Sequence, residues 1–161
     1  MSGEAEQMKF LCLKHTDADI AKELFDLFQS AYRVEADLIG VDLFSPLRRT
    51  TADFMASSTQ FLGYRREARL VAAMELEQQG EWLSIDSLAV APDMFRQGYA
   101  RGLLEYVFTH SDQFGRPIGA RVSTAEANAP AIALYERFGF QKGRSRRTEE
   151  GISVVSFDVL F

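Results

Sequence analysis

Apolar residues recur along this chain with two periods, one helical and one alternating. Ile20, Leu24, Leu27, Phe28 and Ala31 fall at helical spacing behind Thr16 and Asp19. That pair has the separation of a capping box, with Asp in place of Glu or Gln, so the pattern predicts a first helix there. A short strand over Met8–Leu13 precedes it. Arg33–Leu47 is mixed and reads as a loop or a loop with one helical turn; Thr51 is placed to cap a short helix over Ala52–Ser57. Three strand-like runs follow, Gln60–Arg65, Leu70–Glu77 and Trp82–Val90, with Gly80 at the turn between the last two.

The third run changes phase. Leu83 and Ile85 share one parity, Leu88 and Val90 the other. A strand with one buried face keeps its parity. Either this strand is buried on both faces or a β-bulge lies between Ile85 and Leu88. Ala100, Leu103, Leu104, Val107 and Phe108 then mark a helix that Gly115 and Pro117 stop. Ile118–Thr124 reads as a strand. Asn128 caps a last helix with the stripe Ala131, Leu134, Tyr135 and Phe138, ended by Gly139. Phe140–Arg147 and Ile152–Phe161 are the final strands, turning at Glu149–Gly151. The order predicts one mixed α/β domain with an antiparallel front and at least one strand–helix–strand crossover.

Composition narrows the function. The 161 residues are 47% hydrophobic and 25% charged, as in an ordinary soluble domain. A net charge of −5 argues against nucleic acid as a partner. Met1–Gln7 is polar and acidic, unlike a signal peptide, and no apolar run has the length of a membrane span. A cytoplasmic protein without a membrane partner is the expectation. The single cysteine, Cys12, reads as a small buried hydrophobe in a strand, and no Cys/His spacing suggests a metal.

Two segments carry candidate chemistry. In Val90-Ala-Pro-Asp-Met-Phe-Arg-Gln-Gly-Tyr-Ala100 a strand ends, a loop follows and a helix begins. Gly98 allows close backbone approach, and the first helical amides have no partner within the helix. With the helix dipole, and with Arg96 and Arg101 nearby, they suit a phosphate. The second segment is the Asn128–Phe140 helix, where Tyr135 is either a core residue or a hydroxyl donor at the edge of a cleft.

Together these segments resemble the GNAT superfamily of N-acetyltransferases. Its acetyl-CoA signature, a Gln or Arg, two residues, Gly, one residue, then Gly or Ala, is matched at Gly98 and Ala100 after Pro92. Phe95 stands at the first position, and Arg96 brings a charge one residue later. The family's helix pattern is matched at Asn128, Ala131, Leu134, Tyr135, Gly139 and Phe140, and Leu88-Ala-Val90 matches the strand end before the phosphate loop. The resemblance implies a mostly antiparallel sheet with a splayed parallel strand pair, and a bulge near Ser87–Leu88. It implies acetyl-CoA held by Leu88, Ala89, Val90, Phe95, Arg96, Gln97, Gly98, Tyr99, Ala100, Arg101, Asn128, Ala131 and Tyr135, with the backbone from Arg96 to Arg101 on the pyrophosphate. It also implies acetyl transfer to a primary amine of a small molecule or peptide. Tyr135 would be the general acid, and Val90 would polarise the thioester. The base is Asp86, Glu75 or a water chain. Tyr32, Glu35, Asp37, Asp42 and Phe44 would shape the acceptor site, with Arg144, Arg146 and Arg147 either meeting an acceptor carboxylate or decorating an edge strand. A catalytically silent CoA-binding module is the alternative, and Ile152–Phe161 offers a strand for a homodimer.

Overall fold

The computed structural model describes residues 8–42 and 44–161; Met1–Gln7 and Leu43 lie outside them. Seven strands form one sheet: β1 (Leu11–Leu13), β2 (Gln60–Arg66), β3 (Arg69–Gln79), β4 (Trp82–Val90), β5 (Gly119–Ala125), β6 (Gln141–Arg147) and β7 (Ser153–Leu160). Their spatial order is β1-β2-β3-β4-β5-β7-β6. All neighbours are antiparallel except β4 and β5. Four helices complete the domain: α1 (Ala18–Ile39), α2 (Thr51–Ala56), α3 (Tyr99–Thr109) and α4 (Ala129–Arg137). The expected mixed sheet with one parallel pair is therefore present. None of the described helices is long and apolar enough to cross a membrane.

α1 departs most from the sequence expectation. Its N-cap is Asp17, not Thr16: the Asp17 carboxylate accepts from the amides of Asp19 and Ile20. The helix runs to Ile39, through what the pattern leaves as loop, and Gly40 closes it in the left-handed region at φ 73°. Tyr32, Val34, Glu35 and Leu38 are thus helical residues. The short helix is capped one residue earlier than expected, by Thr50, in a capping box with Asp53. β1 is shorter than expected and lies at a sheet edge, which leaves Cys12 exposed. β7 is flanked by β5 and β6, so its backbone is already paired on both sides and offers no dimer edge. The outer edge is β6, whose residues are all exposed.

The phase break in β4 is a bulge. Leu76 opposes Ile85 and Glu75 opposes Ser87, so Asp86 is the extra residue, one position before the place the resemblance implies. The insertion restores the parity. Leu83, Ile85, Leu88 and Val90 oppose Gln78, Leu76, Met74 and Ala72, all on one face of β3. α3 packs on β2, β3 and β4, and α1 packs on β3 and β4. The core between these layers holds Leu24, Phe54, Phe61, Met74, Leu103 and Leu104, each nearly inaccessible.

Candidate active site

β4 and β5 pair only from Trp82↔Gly119 to Ile85↔Val122. The bulge at Asp86 comes next, and the strands separate there. Bulges add twist, and a parallel neighbour has no matching extra residue with which to follow it. Peptide groups of Asp86–Val90 that point away from β3 therefore have no strand partner. The separation opens a cleft of about 1200 Å³, walled by both strand ends, α3, α4, the second half of α1, the Ser45–Arg48 turn and the β6–β7 hairpin.

One end of the cleft has features that suit an anion. Gly98 is the N-cap of α3 at φ 85°, a conformation costly for other residues, and no side chain caps this helix. Its first amides are open to a ligand. Arg96 is also left-handed, at φ 62°, and exposed. The Arg101 guanidinium instead donates to Glu105 at 2.9 Å. Leu88, Val90, Phe95, Arg96, Gly98, Tyr99, Ala100 and Arg101 line the cleft; Ala89 and Gln97 do not. Ala89 is buried on the opposite face of β4, and Gln97 accepts from Arg66 at 3.2 Å. The ring of Tyr99 packs on Tyr64, 5.2 Å between centroids.

α4 forms the opposite wall. Its Pro130 sits in the first turn, where no amide is needed. The Asn128 side chain caps it by accepting from the Ala131 amide at 3.3 Å, and donates to Glu35 at 3.2 Å. Asn128, Ala131 and Tyr135 all line the cleft. Tyr135 is 5% exposed and packed on Phe140 and Phe157. Burial, and then the neighbouring Tyr32 and Glu35, hold its pKa above the usual value. The phenol is thus protonated at neutral pH and able to donate.

The two carboxylates singled out as bases have opposite surroundings. Glu75 is buried and saturated. Arg49 donates to both its oxygens at 2.7 and 2.8 Å, Thr59 at 2.7 Å and Ser87 at 2.9 Å. Burial raises its pKa, but these donors outweigh it and the net shift is downward. Asp86 is partly exposed and makes no ion pair among the described residues. Its pKa is raised to about 6, mainly by burial, with Ser84 opposing and Glu77 assisting. Ser84 donates to it at 2.6 Å. The charge partner Arg49 carries no motif in the sequence. The sequence pattern places Glu35 among loop carboxylates; Gly40, a ready helix stop, is the signal that α1 extends far enough to carry it into the cleft.

Asp37 and Asp42 do not line the cleft, whereas Tyr32, Glu35 and Phe44 do. Of the three β6 arginines only Arg146 reaches it.

Known proteins share this architecture. Residues 21–140 match the acetyltransferase (GNAT) family. The chain is 35% identical over 145 residues to UPF0157 protein YqkA of Bacillus subtilis (strain 168), covering 90% of this chain but 41% of that protein. It thus spans about two fifths of that relative's length. The fold is that of the ribosomal-protein-S18-alanine N-acetyltransferase from Escherichia coli, with a TM-score of 0.73 at 19% identity over 94% of this chain and 92% of that one. It is equally that of the PaiA N-acetyltransferase from Thermoplasma acidophilum in complex with coenzyme A, with a TM-score of 0.70 at 13% identity over 92% and 98%. The family match runs across the β4 bulge, the α3 start and α4, the three elements that build the cleft, and the chain belongs to the GNAT family of acetyltransferases.

Proposed function

We propose that this domain transfers the acetyl group of acetyl-CoA to a primary amine by direct attack. The observation that carries the reading is the cleft itself. A bulge opens the sheet, with an uncapped helix start at one end and a buried tyrosine at the other.

The residues present fit acetyl-CoA. The α3 amides and Arg96 suit its pyrophosphate. The free peptide groups of Leu88 and Val90 suit the amides of its pantetheine arm, beside the apolar wall of Ala131 and Leu134. Coenzyme A found with PaiA supports the same use of this fold. Bound there, acetyl-CoA would supply the activated acyl group.

The chain's own groups then divide the proton work. Asp86, ionised above about pH 6, accepts the amine's proton directly or through water. The amine nitrogen bonds to the thioester carbon, and the Val90 amide stabilises the oxyanion. As the carbon–sulfur bond breaks, Tyr135 protonates the departing thiolate, and the products are an amide and free thiol. Glu75 takes no part in this transfer, because its lone pairs are occupied. Its role is to hold Arg49 and Ser87 behind the bulge.

Free-thiol release from acetyl-CoA with a panel of primary amines tests the proposal. Release that requires both an amine and Tyr135 supports it. Binding of acetyl-CoA with no release for any amine would reduce the domain to a CoA-binding module.

A further inference from the structure

We infer that the acceptor is a primary ammonium ion attached to an apolar or aromatic body, and that Glu35 receives the ammonium. The inference rests on the transferase reading above and names its acceptor.

The inner face of α1 presents Ala31, Val34, Glu35 and Leu38 to the cleft, a stripe at i, i+3, i+4 and i+7. Val34 and Leu38 are 39% and 52% exposed and share one cleft wall, so they form part of a contiguous apolar patch. Phe44 and Pro46 face the same space from the following turn, and the Phe44 ring packs on Tyr32 at 5.8 Å. That turn is tied down. Its Leu47 carbonyl accepts from Gln29 at 2.8 Å, and its Ser45 amide donates to Glu150 of the β6–β7 hairpin at 3.3 Å. The result is an apolar chamber on the α1 side, away from the anion-binding start of α3.

One carboxylate sits in this apolar stripe. Glu35 is half-buried, accepts a single hydrogen bond, from the neutral amide of Asn128, and has no ion pair among the described residues. Burial raises its pKa, the mark of a carboxylate short of a positive neighbour. A ligand ammonium would supply that neighbour. Through Asn128 the carboxylate is tied to the start of α4, the helix that carries Tyr135, so a cation held there lies beside the reaction zone. A second positive charge is disfavoured. Arg137 and Arg146 line the cleft without an ion pair among the described residues and would repel it, and the other carboxylate on this side, Glu150, already accepts from the Ser45 amide. A monocation with an apolar body satisfies all three features, and a polyamine satisfies only the first charge.

The full chain is assayed by thiol release with 2-phenylethylamine, ethylamine, spermidine and a short peptide amide with N-terminal phenylalanine. The free amine and the peptide distinguish the two sources of the same chemistry, and turnover of either supports the inference. We expect kcat/KM for the preferred phenyl-bearing amine to exceed that of ethylamine and of spermidine by about tenfold or more. Glu35→Gln keeps an acceptor for Asn128 and removes the charge; it should raise the amine KM about tenfold, with kcat changing less and acetyl-CoA affinity unchanged. Leu38→Asn, on the exposed end of the stripe, should narrow the gap between 2-phenylethylamine and ethylamine. Preference for spermidine, or unchanged amine KM in both variants, overturns this inference and leaves the transferase reading standing. No thiol release with any amine removes both.

Discussion

Asp86 and Glu75 are both acidic residues on the paired strands β4 and β3, yet only one is left free for chemistry. As the extra residue of the bulge, Asp86 escapes the pairing that fixes its neighbours, and partial burial with no ion pair among the described residues raises its pKa to about 6. As the proposed base it must be ionised, so kcat/KM should fall about tenfold per pH unit below about 6, and Asp86→Asn should remove that limb with most of the activity. The folded pKa lies above the ordinary 3.8, so folding takes up a proton between these values and stability declines as pH rises through them. Asp86→Asn should therefore be more stable than wild type at pH 7.5, as seen by chemical denaturation, while being less active. Glu75 behaves oppositely. Its folded pKa lies below 4.5, so its contribution to stability is present above that value and is lost as pH falls through the folded pKa. Glu75→Gln strands Arg49 and should cost about 3 kcal/mol near neutral pH, with the difference from wild type shrinking below about pH 4.5. Tyr135→Phe should leave folding intact and slow turnover; full activity would remove the phenol from the mechanism.

At the scale of elements, the bulge and the α3 start matter most. The helix start was legible from Gly98 after Pro92, whereas the parity of Leu83, Ile85, Leu88 and Val90 allowed either a bulge or burial on both faces, and only the family resemblance pointed to the bulge. The space at Gly98 is open, so a substitution there meets only backbone strain. Gly98→Ala should cost about 1–2 kcal/mol of stability and shift the first α3 amides. Acetyl-CoA affinity, measured by calorimetry, should fall more than amine KM changes. The end of α1 was not legible in the same way. Arg33, Glu35 and Asp37 dilute the apolar period, which read alone suggests that the helix stops near Ala31. The stripe Ala31, Val34 and Leu38 continues it, but toward the cleft and not toward the core, so its spacing looked irregular.

At the scale of the whole molecule, a ligand that binds only the folded chain stabilises all of it. Acetyl-CoA at about one hundred times its Kd should add about 2.7 kcal/mol and raise Tm by roughly 5–10 °C for a domain of this size. Gly98→Ala should shrink that shift, whereas Asp86→Asn should not. No shift at high micromolar acetyl-CoA would remove the cofactor from the reading.

Local sequence alone determined most of the elements, the Asn128 cap of α4 and the glycine start of α3. These follow from spacing, glycine conformation and unpaired amides within a few residues. The tertiary structure decided which carboxylate is free. Arg49 reaches Glu75 from 26 residues away, and Asn128 reaches Glu35 across 93. A carboxylate's pKa depends on burial and on the charges that face it, and no local pattern carries either. The same holds for the cleft's apolar chamber, which exists only because α1, the turn after it and the β6–β7 hairpin meet around a gap that one extra residue opened in the sheet.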